Sequence, residues 1–282
     1  MTKAETVVVD TNLPYTVFKR GKVRDVYDLG DRLLIVSTDR ISAFDVVLPD
    51  GIPRKGEALT RLSTHWFRQT RSTIQNHMIK TVDSRTVLVK KAKLIPIEFV
   101  VRGYLYGSAW EDYKQGKPIC GITLQKGLKK AEKLDHPILT PTTKAEQGHD
   151  MEIAQKDAEQ KIGEAMFREI EEVSMKIYTK ASKRAEENGI IVADTKLEFG
   201  TINDELILID ELLTPDSSRF WPLDTYKIGE DQFSFDKQYV RDYLISIKWN
   251  KQPPAPTLPL NVIAETSKKY IEAYERLTGR KF

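Results

Sequence analysis

Charged side chains sit where an apolar β-hairpin should hold none, among them Asp194, Lys196 and Glu198 in the arm 190–199, and Asp210 in the returning arm 206–213. Apolar residues dominate both arms, and Asn203 and Asp204 mark the turn between them. Side chains alternate faces along a strand, so the three charges of the first arm share one face while Thr195, Leu197 and Phe199 take the other. With a three-residue loop, Glu198 falls directly across from Asp210. Like charges so opposed destabilise a sheet and push one carboxylate toward protonation, unless a cation lies between them. A hard divalent ion held by one or two carboxylates, its other positions filled by water and substrate phosphates, is how magnesium enters phosphoryl-transfer sites. Lys196, between the two acids, is placed to hold a phosphate or carboxylate of the reactants. An ordinary amphipathic hairpin with a solvated charged face has the same pattern, so the hairpin alone leaves both readings open.

Five polar loops carry groups that a connector does not need. In 20–27, Gly21 lets the backbone approach a ligand, and Lys22 and Arg24 alternate onto one face that could meet phosphate oxygens. In 37–56, Asp39, Arg40, Ser42 and Asp45 cluster. The segment 102–110 combines Arg102 and Ser108 with two glycines, a forked cation and a hydroxyl able to grip a phosphate monoester. Lys144 and Asp150 lie in 140–150, and 214–221 brings Asp216, Ser217 and Arg219 directly after the hairpin. Each alone reads as a surface turn; five on one chain are harder to dismiss.

The elements that must position these groups change character along the chain. Short strands at 15–19, 23–29, 32–37, 85–91 and 97–102, with Arg20-Gly21 and Gly30-Asp31 as hairpin punctuation, predict an N-terminal antiparallel lobe. One helix interrupts it at 57–68, with Leu59, Leu62 and Trp66 on one face. Helical spacing then runs through 151–188 to the Asn188-Gly189 stop, and again through 236–250 and 261–278. The stripes on these helices read as core packing, and the prolines of 253–256 as a short extended connector.

Composition excludes several classes. The 282 residues, 40% hydrophobic and 30% charged, can bury a substantial core in two lobes or one large domain. A formal charge of +3, from 44 basic and 41 acidic residues, comes with no tract long enough for nucleic acid or a membrane surface. The densest basic patch, 126–133, reads as a solvated face or loop. The lone Cys120 excludes an internal disulfide, and four scattered histidines give no zinc spacing. No window resembles a signal peptide or a membrane span, so a cytoplasmic setting is expected.

The segments GKVRDVY, STDRISAFD, GIPRKG, EFVVRGYLYGSAW, TPTTKAEQGHD, DTKLEFG and LIDELLTPDSSRFWP, in this order, resemble the SAICAR synthetase (phosphoribosylaminoimidazole-succinocarboxamide synthase) family from about residue 15 to the C-terminal helix. The resemblance implies an ATP-dependent ligase of de novo purine biosynthesis that joins L-aspartate to the carboxylated aminoimidazole ribonucleotide CAIR. It implies an α+β, two-lobed fold related to ATP-grasp and kinase-like architectures. An N-terminal antiparallel β lobe, 1–101, would bind ATP, and a larger α+β lobe, 102–282, would hold the magnesium and CAIR sites.

Carried over motif by motif, Gly21, Lys22 and Arg24 would face the ATP phosphates and Lys90 or Lys91 the nucleotide. The stretch 97–100, with Glu98 and Val100, would be the interlobe segment beside adenine. Glu198 and Asp210 would carry Mg2+. Arg102, Ser108 and Arg219 resemble the grip on the CAIR 5′-phosphate, and Asp45, Lys144, Asp150 and Asp216 join the CAIR and aspartate positions. Lys196, Asp194 and Lys22 are the catalytic candidates. The resemblance implies ATP, CAIR and aspartate as small-molecule partners, no nucleic acid or membrane, and a monomer or homodimer. A carboxylate is a poor acyl donor, so amide formation calls for prior phosphorylation to an acyl phosphate. A small-molecule kinase and a nucleotide-binding regulator are the rival classes; neither would release ADP only when CAIR and aspartate are both present.

Overall fold

Two antiparallel sheets divide the chain. The computed structural model describes residues 6–143, 151–235 and 237–282. The first sheet takes β1 (Thr16–Arg20), β2 (Arg24–Asp28) and β3 (Arg32–Ser37) as a meander. A small hairpin follows, β4 (Arg40–Ala43) and β5 (Val46–Gly51), and then helix α1 (Lys55–Gln69). β6 (Met78–Thr81) and β7 (Thr86–Lys90) complete the first sheet in the order β1-β2-β3-β7-β6. The segment 37–56, read from sequence as a loop, is therefore largely the β4–β5 hairpin. Its two-residue turn, Phe44 and Asp45 with φ of 51° and 63°, hides the strands from a pattern search.

The second sheet is built on β8 (Lys93–Tyr104), after which come α2 (Ser108–Lys114), β9 (Lys133–Thr143), α3 (Gln155–Ile162) and α4 (Glu164–Glu187). β10 (Ile190–Ile202) lies at its centre, flanked by β11 (Glu205–Ile209), β12 (Ser218–Pro222) and β8, with β9 beyond β8. α5 (Gln238–Ser246) and α6 (Leu260–Thr278) close the chain. The expected helix over 151–188 is two helices, because Gly163 at φ 89° ends α3 and starts α4. β8 runs through residue 101, so the change of sheet falls at residues 91–92, between β7 and β8, rather than at a 101/102 boundary.

Burial explains why β10 reads as a run of apolar residues broken by charges. Its inward face, Leu197 and Phe199 at 0% exposure, packs against Phe99 of β8 and against Phe167, Ile170 and Ile177 of α4. The Phe99 ring lies 5.8 Å from Phe199 and 6.2 Å from Phe167. Truncating such a buried ring costs about 3–5 kcal/mol, so this layer fixes where the opposite, charged face of β10 points. Leu62, Trp66 and Phe67 of α1 belong to the same core, which ties the first sheet's helix to the second sheet. Gly103 permits the closest approach in that layer, since a Cβ there would lie 1.9 Å from the Tyr178 hydroxyl. Among the described residues no helix is long and apolar enough to cross a membrane.

Candidate active site

Asp194, Lys196 and Glu198 do share the outward face of β10, but the acid opposite Glu198 is not Asp210. The hairpin turn is two residues long, Asn203 and Asp204 with φ of 52° and 63°, and it pairs Ile202 with Glu205 and Glu198 with Ile209. A three-residue loop was the wrong expectation by one position, and one position reverses the facing of a strand. The residue across from Glu198 is Glu98 on β8. Lys196 Nζ lies between these carboxylates, 2.9 Å from Glu98 Oε1 and 3.5 Å from Glu198 Oε1. Burial pulls the Lys196 ammonium down, but Glu198, Glu98 and Asp210 together outweigh it and hold the pKa above the ordinary lysine value. The cation demanded by opposed carboxylates is thus supplied by the protein itself.

Asp210 lies one residue past β11 in the left-handed region, φ 68°, which swings its carboxylate toward the first sheet. It accepts Arg24 Nη2 at 2.7 Å, and Glu211 lies 3.5 Å from the same nitrogen. Burial would lower the Arg24 pKa, yet Asp210, then Glu211 and Glu198, raise it. Glu198 and Asp210 both raise the pKa of Lys196 and of Arg24, so the two acids act on the same pair of cations although they do not face each other across the hairpin. Arg24, Asp210 and Glu211 also line a narrow interlobe gap with apolar Ile35, Leu59, Phe67, Met78 and Val87 and polar Ser37, Thr60, Ser63 and His77. His77 in that wall is pushed down to about 4 by burial and so stays neutral.

At the far end of the charged line, β10 places Asp194 opposite Arg102 of β8 and Arg219 of β12. Asp194 accepts from Arg219 and lies 3.6 Å from Arg102 Nη1. Arg102 is buried and donates to Thr140 Oγ1 at 3.0 Å, to Ser108 Oγ at 3.2 Å and to Glu152 at 3.3 Å. Gly107 makes room for this group: a Cβ there would sit 2.7 Å from Arg219 Nη2. Arg102, Ser108, Asp194 and Arg219, with Val100 and Lys196, line a cavity of about 200 Å3.

Asp216 reaches this cavity but is committed inward. It accepts Lys55 Nζ at 2.7 Å and the Tyr270 hydroxyl at 2.6 Å, with Lys237 at 3.4 Å. Burial raises its pKa, but Lys237, Lys55 and the two hydrogen bonds prevail, keeping it well below the usual carboxylate range.

The remaining candidates are placed less centrally. Lys22 pairs with Asp45 at the exposed rim, and Gly21 donates its N–H to Arg24 O at 2.7 Å, closing a turn that Arg40 pins through Gly21 O at 3.0 Å. Lys90 is exposed, and Lys91 donates to Asp28 at 2.6 Å; neither touches Arg24 or Asp210. Glu98 and Val100 are mid-strand on β8, facing Lys196 and the cavity, whereas the segment linking the sheets is 91–92. Lys144 and Asp150 lie outside the described residues. Sequence reasoning missed Lys55, Glu152, Glu211, Lys237 and Tyr270. Glu211 adjoins Asp210 in the same motif and Lys55 lies in GIPRKG, so those two had a local signal; the others come from helices and loops whose proximity only the fold creates.

The chain matches the family described as SAICAR synthetase over residues 17–256. It is 51% identical to the phosphoribosylaminoimidazole-succinocarboxamide synthase of Thermodesulfovibrio yellowstonii, across 97% of this chain and 99% of that protein. The SAICAR synthase of Saccharomyces cerevisiae, solved with SAICAR, superposes with a TM-score of 0.91 at 41% identity, over 98% of this chain and 99% of that one. A SAICAR synthetase in complex with ADP superposes with a TM-score of 0.73 at 27% identity, over 95% and 99% of the two chains.

Proposed function

The chain belongs to the SAICAR synthetase family of purine-biosynthetic ligases, and from that premise we propose how its residues divide the reaction. CAIR, L-aspartate and ATP become SAICAR, ADP and phosphate through an acyl phosphate. The observation that carries the reading is the single charged line of β10, which joins the Arg24–Asp210 pair at one end to the Arg102–Arg219 pair at the other. Asp194 and Glu198 are four residues apart, about 13 Å along a strand. One ribonucleotide lying along β10 places its 5′-phosphate on Arg102, Arg219 and Ser108, and its reacting carboxylate near Lys196.

The nucleotide lies between the sheets, its adenine against Ile35, Met78 and Val87 and its phosphates toward Arg24, with Lys22 and Gly21 at the rim. The gap there is only about 20 Å3, so admission of a nucleotide requires the lobes to part, and their closure excludes water from the acyl phosphate. Glu98 acts through Lys196, holding its ammonium in place, rather than on the base. The first sheet serves the nucleotide, and the second serves the metal and CAIR. The same reading sets the enzyme in the cytoplasm as a monomer or homodimer.

Among the described residues no group of three or more His, Cys, Asp or Glu converges on one point. The available donors are the hard oxygens of Glu198 and Asp210, a two-carboxylate set that suits magnesium completed by water and phosphate oxygens. Bound there, magnesium supplies neutralisation of the phosphoryl group in transfer. The chain's own groups do the rest. Lys196 holds the attacking carboxylate oxygen, Arg24 holds the leaving diphosphate, and both are fixed in position by acids, as phosphoryl transfer by alignment and electrostatics demands.

In the first step a carboxylate oxygen of CAIR bonds to the γ-phosphorus as the bond to ADP breaks. In the second the aspartate amine bonds to the acyl carbon, and phosphate leaves with that oxygen. CAIR labelled with 18O in its carboxylate therefore delivers label to the released phosphate. Unlabelled phosphate alongside normal SAICAR formation sinks the acyl phosphate. ADP release that persists without aspartate, with a stable phosphorylated product, favours a kinase instead.

A further inference from the structure

Helix α1 separates the interlobe gap from a second cavity, of about 340 Å3, that the ligase reading leaves unused. Thr60 is the partition, lining both. The cations of this cavity are Arg61 and Arg68 of α1 and Arg280 after α6, and its one acid is Asp83, which caps the backbone N–H of Arg85. Arg61 is already engaged, donating to Glu57 and lying 4.5 Å above the Phe282 ring. Neither Arg68 nor Arg280 has a side-chain hydrogen bond or ion pair among the described residues. Two guanidiniums left without a counter-charge beside an engaged third make the pocket electropositive, which favours an anion.

Two buried polar atoms of the same wall also lack partners, Thr64 Oγ1 and His65 Nε2. Thr64 is only 8% exposed. A threonine hydroxyl inside a helix ordinarily returns to the carbonyl four residues back. Thr266 inside α6 does so to Val262 at 2.7 Å, and Thr70 at the C-cap of α1 to Trp66 at 2.9 Å. Thr64 does not, so its hydroxyl is a buried group whose bond is unmade, and such groups are rare enough to need a reason. Burial first, then Arg184, Arg280 and Arg68, push the His65 imidazole down to about 4. The ring is therefore neutral at physiological pH and presents a hydrogen-bonding nitrogen rather than a further charge.

We propose that this cavity is a binding site for the phosphate group of a small metabolite, with Arg68 and Arg280 supplying the charge and Thr64 and His65 the hydrogen bonds. It stands apart from the nucleotide gap and from the Arg102–Arg219 cradle, neither of which shares those four residues. Planar forks that meet phosphate oxygens in pairs are the usual recognition device, and the neutral polar wall then selects what the phosphate carries.

Inorganic phosphate titrated into the full chain, followed by the NMR shifts of the Thr64 amide and the His65 ring, tests the site at its own residues. A saturable shift is expected in the wild type and equally in Arg219→Ala, which reports independently on the CAIR cradle. The Arg68→Ala/Arg280→Ala variant should bind about tenfold more weakly, the order expected for lost charge-assisted hydrogen bonds. Thr64→Val keeps both shape and surface charge, and it should weaken binding several-fold while leaving turnover unchanged. Absence of a saturable shift in the wild type overturns the proposal. So does wild-type affinity in Thr64→Val with loss only in the arginine pair, which would report diffuse surface charge.

Discussion

Replacing Asp216 by asparagine probes how firmly the site is held from behind. The carboxylate is 2% accessible, and the Lys55 ammonium it faces is 0% accessible. Asparagine keeps the volume and removes the charge, leaving Lys55 and Lys237 beside an uncharged amide. Breaking one partner of a buried ion pair costs about 3–5 kcal/mol, because the other charge remains buried and uncompensated. For 282 residues, an unfolding entropy of about 2.1 cal/mol/K per residue amounts to about 0.6 kcal/mol/K, so the Tm should fall by about 5–8 °C. The pH dependence follows from the direction of the shift. Asp216 is held below its unfolded value, so its contribution is complete above the unfolded pKa and is lost as pH falls through the folded one. The gap between wild type and Asp216→Asn should therefore be constant from about pH 7 to about pH 5 and narrow below about pH 4. Thermal melts at matched scan rate measure both. A variant melting within about 1 °C of wild type near pH 7, or a gap undiminished near pH 3, refutes the reasoning.

Glu198→Ala and Asp210→Ala should each cut turnover by about 10²–10³-fold with the fold intact, the scale of losing one electrostatic group in a preorganised site. ADP release at limiting magnesium is the assay, and near-normal rates in both would remove the metal assignment. Arg219→Ala should raise the KM for CAIR by about 100-fold, two charge-assisted contacts' worth, and leave that for ATP nearly unchanged; equal losses for both would misplace the residue. Gly56→Ala puts a Cβ 2.2 Å from the Ser37 carbonyl oxygen, a backbone atom that cannot step aside. It should destabilise by about 1–3 kcal/mol or more through overpacking, read as a lower melting temperature, and an unchanged melt would show that α1 can shift.

The charged face of β10 was legible because alternation along a strand is fixed by geometry, and Asp194, Lys196 and Glu198 were correctly grouped before any contact was known. Its partner across the sheet was not, because register depends on a turn length that Asn203-Asp204 leaves ambiguous by one residue. The segments 140–150 and 214–221 were read as loops, yet the first begins inside β9 and the second runs into β12. Each strand carries prolines, Pro137 and Pro141 in β9 and Pro222 in β12, that argue against a strand in sequence but are tolerated at a sheet edge. Long-range partners such as Lys55 to Asp216, 161 residues apart, leave no local pattern at all.

Each cation assigned to a reactant phosphate or carboxylate is already held by an acid of the chain: Lys22 by Asp45, Arg24 by Asp210, Arg102 by Glu152, Arg219 by Asp194 and Lys196 by Glu98. Uncompensated, this many cations on one face would repel one another and lose side-chain entropy when ordered by substrate. The internal acids remove both costs in advance, but an incoming phosphate must then compete with a carboxylate for the same guanidinium. Competition is weakest where the acid can turn to something else. On the proposed assignment Asp210 and Glu198 are the acids with that outlet, since a divalent cation held by them would free Arg24 and Lys196, with which they pair. Asp194 has none, being shared between Arg102 and Arg219, so on the same proposal it stays to orient both forks while Glu152, which also accepts from Ser108 at 2.7 Å, would be the group that a 5′-phosphate displaces.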